Sequence, residues 1–100
     1  MERGGAVYII TNETHTVLYT GVTSDLLSRM TQHRNKEYPN SFSSKYNCFM
    51  LVYYCVFSTI EEAIAEEKRI KAGNRQAKMK RIESINPEWK DLYPDLLSTW

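Results

Sequence analysis

The chain has 100 residues, 42% of them hydrophobic and 25% charged, and carries a formal net charge of +1. That length supports one hydrophobic core and not two, so a single domain over residues 1–100 is expected, with a core at about 6–92 and a short C-terminal tail. No apolar run approaches the ~20 residues of a membrane span, and Met1-Glu2-Arg3-Gly4-Gly5 lacks the apolar centre of a secretory signal, so a cytoplasmic protein with no membrane partner is expected.

Residues 6–11 and 16–21, rich in Val, Ile, Tyr and Thr, flank the turn-forming Asn12-Glu13-Thr14-His15 and predict an antiparallel hairpin. A four-residue loop pairs Thr11 with Thr16 and sets Tyr8 opposite Tyr19, with both rings on one face. A slip by one residue would send them to opposite faces. After Gly21-Val22-Thr23 the period changes. Ser24 suits an N-cap, Asp25 suits a first turn, and Leu26, Leu27 and Met30 recur at helical spacing. Arg29 and His33 share the side marked by Leu26 and Met30. Residues 35–47 are polar and read as a long loop.

Residues 48–57 are almost continuously apolar and predict a central or otherwise well-covered strand. Cys48 and Cys55 fall in this run, where they cannot meet in a disulfide, and they lack the clustered partners of a zinc site. Overlapping capping boxes, Ser58 with Glu61 and Thr59 with Glu62, open a helix that Gly73 closes. A basic helix over residues 75–84 follows and ends before Pro87, which holds Asn86 extended. Lys68, Arg69, Lys71, Arg75, Lys78, Lys80 and Arg81 occur without an intervening Asp or Glu. Such a stripe is either a solvated helical face or a phosphate-binding surface.

The first of these two helices contains an anomaly. Ile60, Ala63, Ile64, Glu67, Ile70 and Lys71 follow one face, which turns a carboxylate inward, whereas Glu66, about 100° around the helix, is expected to face solvent. A half-buried carboxylate needs a partner, either an arginine or a metal ion.

Val7-Tyr8-Ile9-Ile10, then Leu18-Tyr19-Thr20-Gly21, a helix carrying Arg29 and a later helix with Glu67 before Arg69-Ile70-Lys71 together resemble the GIY-YIG nuclease superfamily. The resemblance runs from Ala6 to about Leu92 and includes the Asn86-Pro87-Glu88-Trp89-Lys90-Asp91-Leu92 ending of small stand-alone bacterial members of URI-domain type. Ala6 and Val7 stand where the family has Gly-Ile, and Thr20 stands where it has isoleucine; Tyr8, Tyr19 and Gly21 are retained.

The resemblance implies an α/β (α+β) domain with a small three-stranded antiparallel sheet flanked by helices. It also implies metal-assisted hydrolysis of a phosphodiester in nucleic acid, DNA ahead of RNA, in repair or processing. By the same resemblance Glu67 holds the metal, Mg²⁺ with Mn²⁺ as alternative. Arg29 binds the scissile phosphate, Tyr8 activates or orients the attacking water, and Tyr19 supports the same site.

Those residue types suit that chemistry. Mg²⁺ takes oxygen ligands, keeps several waters and needs few protein carboxylates when a phosphate completes its shell. Arg29 offers a planar, permanently charged fork to phosphate oxygens. A tyrosine of ordinary pKa, about 10, is a poor base at neutral pH, so Tyr8 either needs nearby cations or positions water, and His33 is the alternative base. Lys71, Arg75 and Lys78 are the candidates for nucleic-acid backbone contacts, with Arg34 and Lys36 next. Plainer readings compete: Tyr8 and Tyr19 as a cross-strand aromatic pair, and Glu67 as an internal salt-bridge partner of Arg29. Two other functions compete with the nuclease. One is a nucleic-acid-binding module that cuts poorly. The other is a protein-interaction domain presenting Trp89, Tyr93 and Trp100, aromatics that alternatively cover the core. Pairing of two copies stays open.

Overall fold

A computed structural model describes residues 4–99, so the expectations for Met1, Glu2, Arg3 and Trp100 lie outside the described residues. The described residues form an antiparallel sheet of β1 (Gly5–Thr11), β2 (Leu18–Thr23) and β3 (Met50–Phe57), in the order β2-β1-β3. The central strand is therefore β1, buried along its whole length, and the apolar run of β3 lies at an edge. Leu51, Val52 and Tyr53 are buried but Val56 is exposed, so β3 is well covered only in its first half.

Alternation along β1 supplies two cores. Ala6, Tyr8 and Ile10 face Leu26 and Met30 of α1 (Leu26–Asn35) and Leu96 of α5 (Tyr93–Thr99). Val7 and Ile9 face Ala63 and Ile70 of α3 (Ile60–Ala72), Ile82 of α4 (Arg75–Ile85), and Trp89. Cover on both faces is what leaves β1 without a charged position.

The hairpin register differs from expectation by two residues: Thr11 pairs with Leu18 and Tyr8 with Gly21. The loop is longer because Asn12 organises it. Its Oδ1 accepts from the backbone N–H groups of Thr16 at 2.9 Å and Val17 at 3.0 Å, and the Thr11 hydroxyl donates to the Val17 carbonyl at 2.6 Å. Amides that the expected ladder would have paired are thus satisfied within the loop. An even shift preserves the face, so Tyr8 and Tyr19 still lie on one side, now diagonal to each other, with ring centroids 6.5 Å apart.

Local signals set the helix starts with small corrections. Asp25, not Ser24, caps α1, accepting from the Ser28 backbone N–H and hydroxyl. Of the two candidate boxes at α3, Thr59 with Glu62 forms. The stretch read as loop contains a short helix, α2 (Phe42–Lys45), capped by Ser41. After α4, the buried Asn86 side chain donates to the Val52 carbonyl at 3.1 Å and to the Lys90 carbonyl at 2.8 Å, which ties the following turn to β3. Trp89 is buried and its indole donates to Glu83, while Tyr93 is half-buried beneath the Arg34 guanidinium, so these two aromatics cover the core. Cys48 precedes β3 rather than lying in it; both cysteines are free thiols, and burial pushes Cys48 up to about 11. Among the described residues no helix is long and apolar enough to cross a membrane.

Candidate active site

Tyr8 occupies the middle of β1 with its side chain fully buried, opposite Gly21. A Cβ at position 21 would sit 2.4 Å from the Tyr8 Cζ and Oη. The phenol lies against β2, and glycine is required there by this close approach. Its hydroxyl reaches His33 Nε2 at 3.2 Å, and His33 Nδ1 lies 2.8 Å from the Ser43 hydroxyl. Burial pushes the Tyr8 hydroxyl up to about 12, with the Tyr19 phenol and the Glu67 charge adding to the effect and the Arg29 guanidinium opposing it. Burial, reinforced by Arg29, lowers His33 to about 4. At neutral pH the site therefore holds a neutral phenol against a neutral imidazole, whose ring is fixed from its far side by a buried serine.

Arg29 lies one helical turn before His33 on α1, so both project from the same side. They line a cleft of about 380 Å³ together with Tyr19, Gln32, Phe42 and Ser43. Tyr19 meets His33 edge-on at 6.2 Å between centroids and stacks on Phe42 at 5.7 Å.

On α3, Glu67 is half-shielded, its side chain 14% exposed, and its Oε2 lies 2.9 Å from Lys71 Nζ. Lys71, rather than Arg29, is its ion-pair partner, so the internal bridge of the competing reading is not the contact formed. The expectation for Glu66 also needs correction: it is equally shielded at 14% and takes Arg69 at 2.7 Å and Arg81 at 2.6 Å. Ala63 and Ile70 mark the centre of the inward face, whereas Ile64 is 37% exposed and Lys71 is exposed. Glu66 and Glu67 thus flank the buried stripe on either side. Among the described residues no group of three or more His, Cys, Asp or Glu side chains lies together so as to hold a metal ion.

The basic candidates separate. Lys71 and Lys78 line a second depression of about 340 Å³ that shares Tyr19 and Phe42 with the cleft. Arg75 donates to the His15 carbonyl at 2.8 Å, bracing the hairpin loop. Arg34 pairs with Asp91, and Lys36 donates to Asn47 at 2.7 Å.

The sequence model of the GIY-YIG catalytic domain matches residues 4–81, the segment that carries Tyr8, Tyr19, Arg29, His33 and Glu67. The chain belongs to the GIY-YIG family. Its membership points to a nuclease type of protein. UPF0213 protein SH2523 of Staphylococcus haemolyticus is 35% identical over 77 residues, spanning 77% of this chain and 92% of that protein. The solution NMR structure of UPF0213 protein BH0048 from Bacillus halodurans shares the fold, with a TM-score of 0.56 and 24% identity over 87% of this chain and 90% of that one. Within this GIY-YIG domain the fold brings Tyr8, Tyr19, Arg29 and His33 together and leaves Glu67 in electrostatic reach of Tyr8. Sequence reading missed Ser43, Phe42 and Gln32. Nothing local marks Ser43, whose partner lies ten positions away on another helix.

Proposed function

We propose that this GIY-YIG protein hydrolyses phosphodiester bonds in nucleic acid, with DNA as the leading substrate and one Mg²⁺ or Mn²⁺ held by Glu67. The convergence of Tyr19, Arg29 and His33 on one cleft, with the buried Tyr8 hydroxyl bonded to His33 behind it and the Glu67 charge felt at that hydroxyl, carries this reading. Glu67 fits a hard dication: it is a half-shielded carboxylate whose present counter-ion is an exposed, flexible lysine. When bound, such an ion polarises the phosphoryl group and stabilises charge on the leaving oxygen.

The remaining work falls to the chain's own residues. Arg29 takes the non-bridging phosphate oxygens in its fork. A phenol held near 12 is not a resting base, so Tyr8 accepts a proton from the attacking water while passing its own to His33 Nε2. The water oxygen bonds to phosphorus, the bond from phosphorus to the leaving oxygen breaks, and solvent protonates that oxygen. Phosphate on Arg29 also offsets one of the two causes that depress His33, which makes the imidazole a better acceptor once substrate is bound. Ser43 holds the ring in line throughout.

The test is incubation with a panel of labelled DNA and RNA structures, with Mg²⁺, Mn²⁺ or chelator, for the natural chain and Glu67→Gln. Metal-dependent cleavage that Glu67→Gln loses is the expected result. Cleavage that persists in chelator, or a folded natural chain that cuts no member of the panel with metal present, overturns the reading.

A further inference from the structure

We infer that the cleft beside Arg29 seats one unstacked nucleobase, with Phe42 as its stacking face. This rests on the nuclease reading and specifies which part of the substrate the site grips. Phe42 is carried by α2 and stacks on Tyr19 with an interplanar angle of 26°. Tyr46 lies against it at 4.7 Å between centroids. Yet Phe42 remains 46% exposed, and Tyr38, which lines the same cleft, is 61% exposed. Rings this open add little to the core, while the place of Phe42 is fixed: the next residue is the buried Ser43 bonded to His33.

The surroundings choose the occupant. The cleft's about 380 Å³ lies within the range of small-molecule sites, and Gln32, Ser41 and Ser44 supply amide and hydroxyl groups that suit base edges. Arg29 stands in the cleft, and the depression sharing the Tyr19 and Phe42 wall carries Lys71 and Lys78. An aromatic wall with cations on both sides complements a strand that alternates flat rings with phosphates. An apolar peptide satisfies only half of it. Stacking on an aromatic side chain accepts any base, so the seat is indifferent to sequence. It demands instead that the base has left its own stack, as in a single strand, a frayed end or an extruded nucleotide.

The test is binding of a short single-stranded oligonucleotide, in DNA and RNA forms, carrying one fluorescent purine analogue whose emission falls on stacking. It is read in chelator with Glu67→Gln protein, so that cleavage does not enter. Binding is expected to quench the analogue. Phe42→Ala should remove the quench and weaken binding roughly 5- to 150-fold, and Phe42→Trp should restore both. An abasic position in place of the analogue should cost the Phe42-bearing protein the same factor and cost Phe42→Ala nothing further. If Phe42→Ala fails to fold, the exposed Tyr38→Ala replaces it, with partial loss of the quench expected. Quenching in both nucleic acids assigns the seat to the base alone, and quenching in one assigns it to that sugar as well.

The inference falls if the folded ring-truncated protein quenches and binds unchanged, or if the abasic strand binds as tightly. It also falls if Phe42→Ala merely dissociates a dimer of the chain without altering oligonucleotide affinity. A Phe42-dependent quench in a chain that cuts nothing keeps the seat and removes the nuclease. Cleavage by a chain indifferent to the abasic position does the reverse.

Discussion

The two flanks of α3 carry carboxylates equally sheltered from water, and they are held in different ways. Glu66 is gripped by Arg69 and Arg81, the latter on α4 and beside the Tyr53 hydroxyl. The hydrogen bond from Arg69 leads the causes that hold Glu66 below the usual carboxylate range. Glu67 meets Lys71 on its own helix. Guanidinium forks from two directions fix a carboxylate in place, whereas one ammonium on a flexible stem can swing aside for another cation. Shielding alone therefore does not mark a functional carboxylate. The identity and rigidity of its partners do.

Exchanging the charges one at a time gives the largest expected contrast. Glu67→Gln should lower metal-dependent cleavage roughly a hundredfold or more with little change in melting temperature, because it removes the group assigned to the dication and one ion pair, to a lysine that is itself half-exposed. Glu66→Gln should leave cleavage intact and cost about 1–2 kcal/mol of stability, through weakened bonds to two arginines. Parallel melts and cleavage assays check both; equal activity losses would erase the distinction between the flanks.

Next in size are changes around the phenol that Glu67 influences. Tyr8→Phe deletes the hydroxyl bonded to His33 and should reduce cleavage about a hundredfold while costing about 1 kcal/mol. Gly21→Ala should combine a rate loss with a lower melting temperature, because its Cβ would overlap the Tyr8 ring and displace it. Full activity in Tyr8→Phe would return that residue to cross-strand packing.

A smaller effect concerns pH. His33 is lowered to about 4 in the fold, chiefly by burial, from an ordinary 6.5. Between these values the unfolded chain binds the proton and the folded chain does not. Stability linked to His33 is thus complete above about pH 6.5 and is lost as pH falls toward about 4. Melts across that window for the natural chain and His33→Asn should converge as acid is added; a constant gap would contradict the lowered value. The least dramatic expectation is that neutralising Lys71 and Lys78 together lowers the salt slope of nucleic-acid affinity by up to about two units, one per phosphate contact. Arg75→Met should instead act through the hairpin loop, since its guanidinium holds the His15 carbonyl, and should leave that slope alone.

Much of this is legible in the sequence. The alternation of Ala6, Tyr8 and Ile10 against Val7 and Ile9, the helical recurrence of Leu26 and Met30, and the Thr59–Glu62 box are local patterns, and local patterns fix which face a residue takes. Tyr8, Tyr19, Arg29 and Glu67 could be named because their order and spacing resemble the motifs of the GIY-YIG family. Tertiary structure decided the partners. Asn12 lengthened the hairpin loop with its own side chain, and Ser43 came to His33 from a segment read as loop. Packing turned α3 by roughly 50° from the face its apolar residues suggested, half a residue step, which moved Ile64 outward and brought Glu66 to the edge of the core. A periodicity window does not resolve half a step. The facing surface, Val7 and Ile9 of β1 with Ile82 and Arg81 of α4, exists only once the chain has folded.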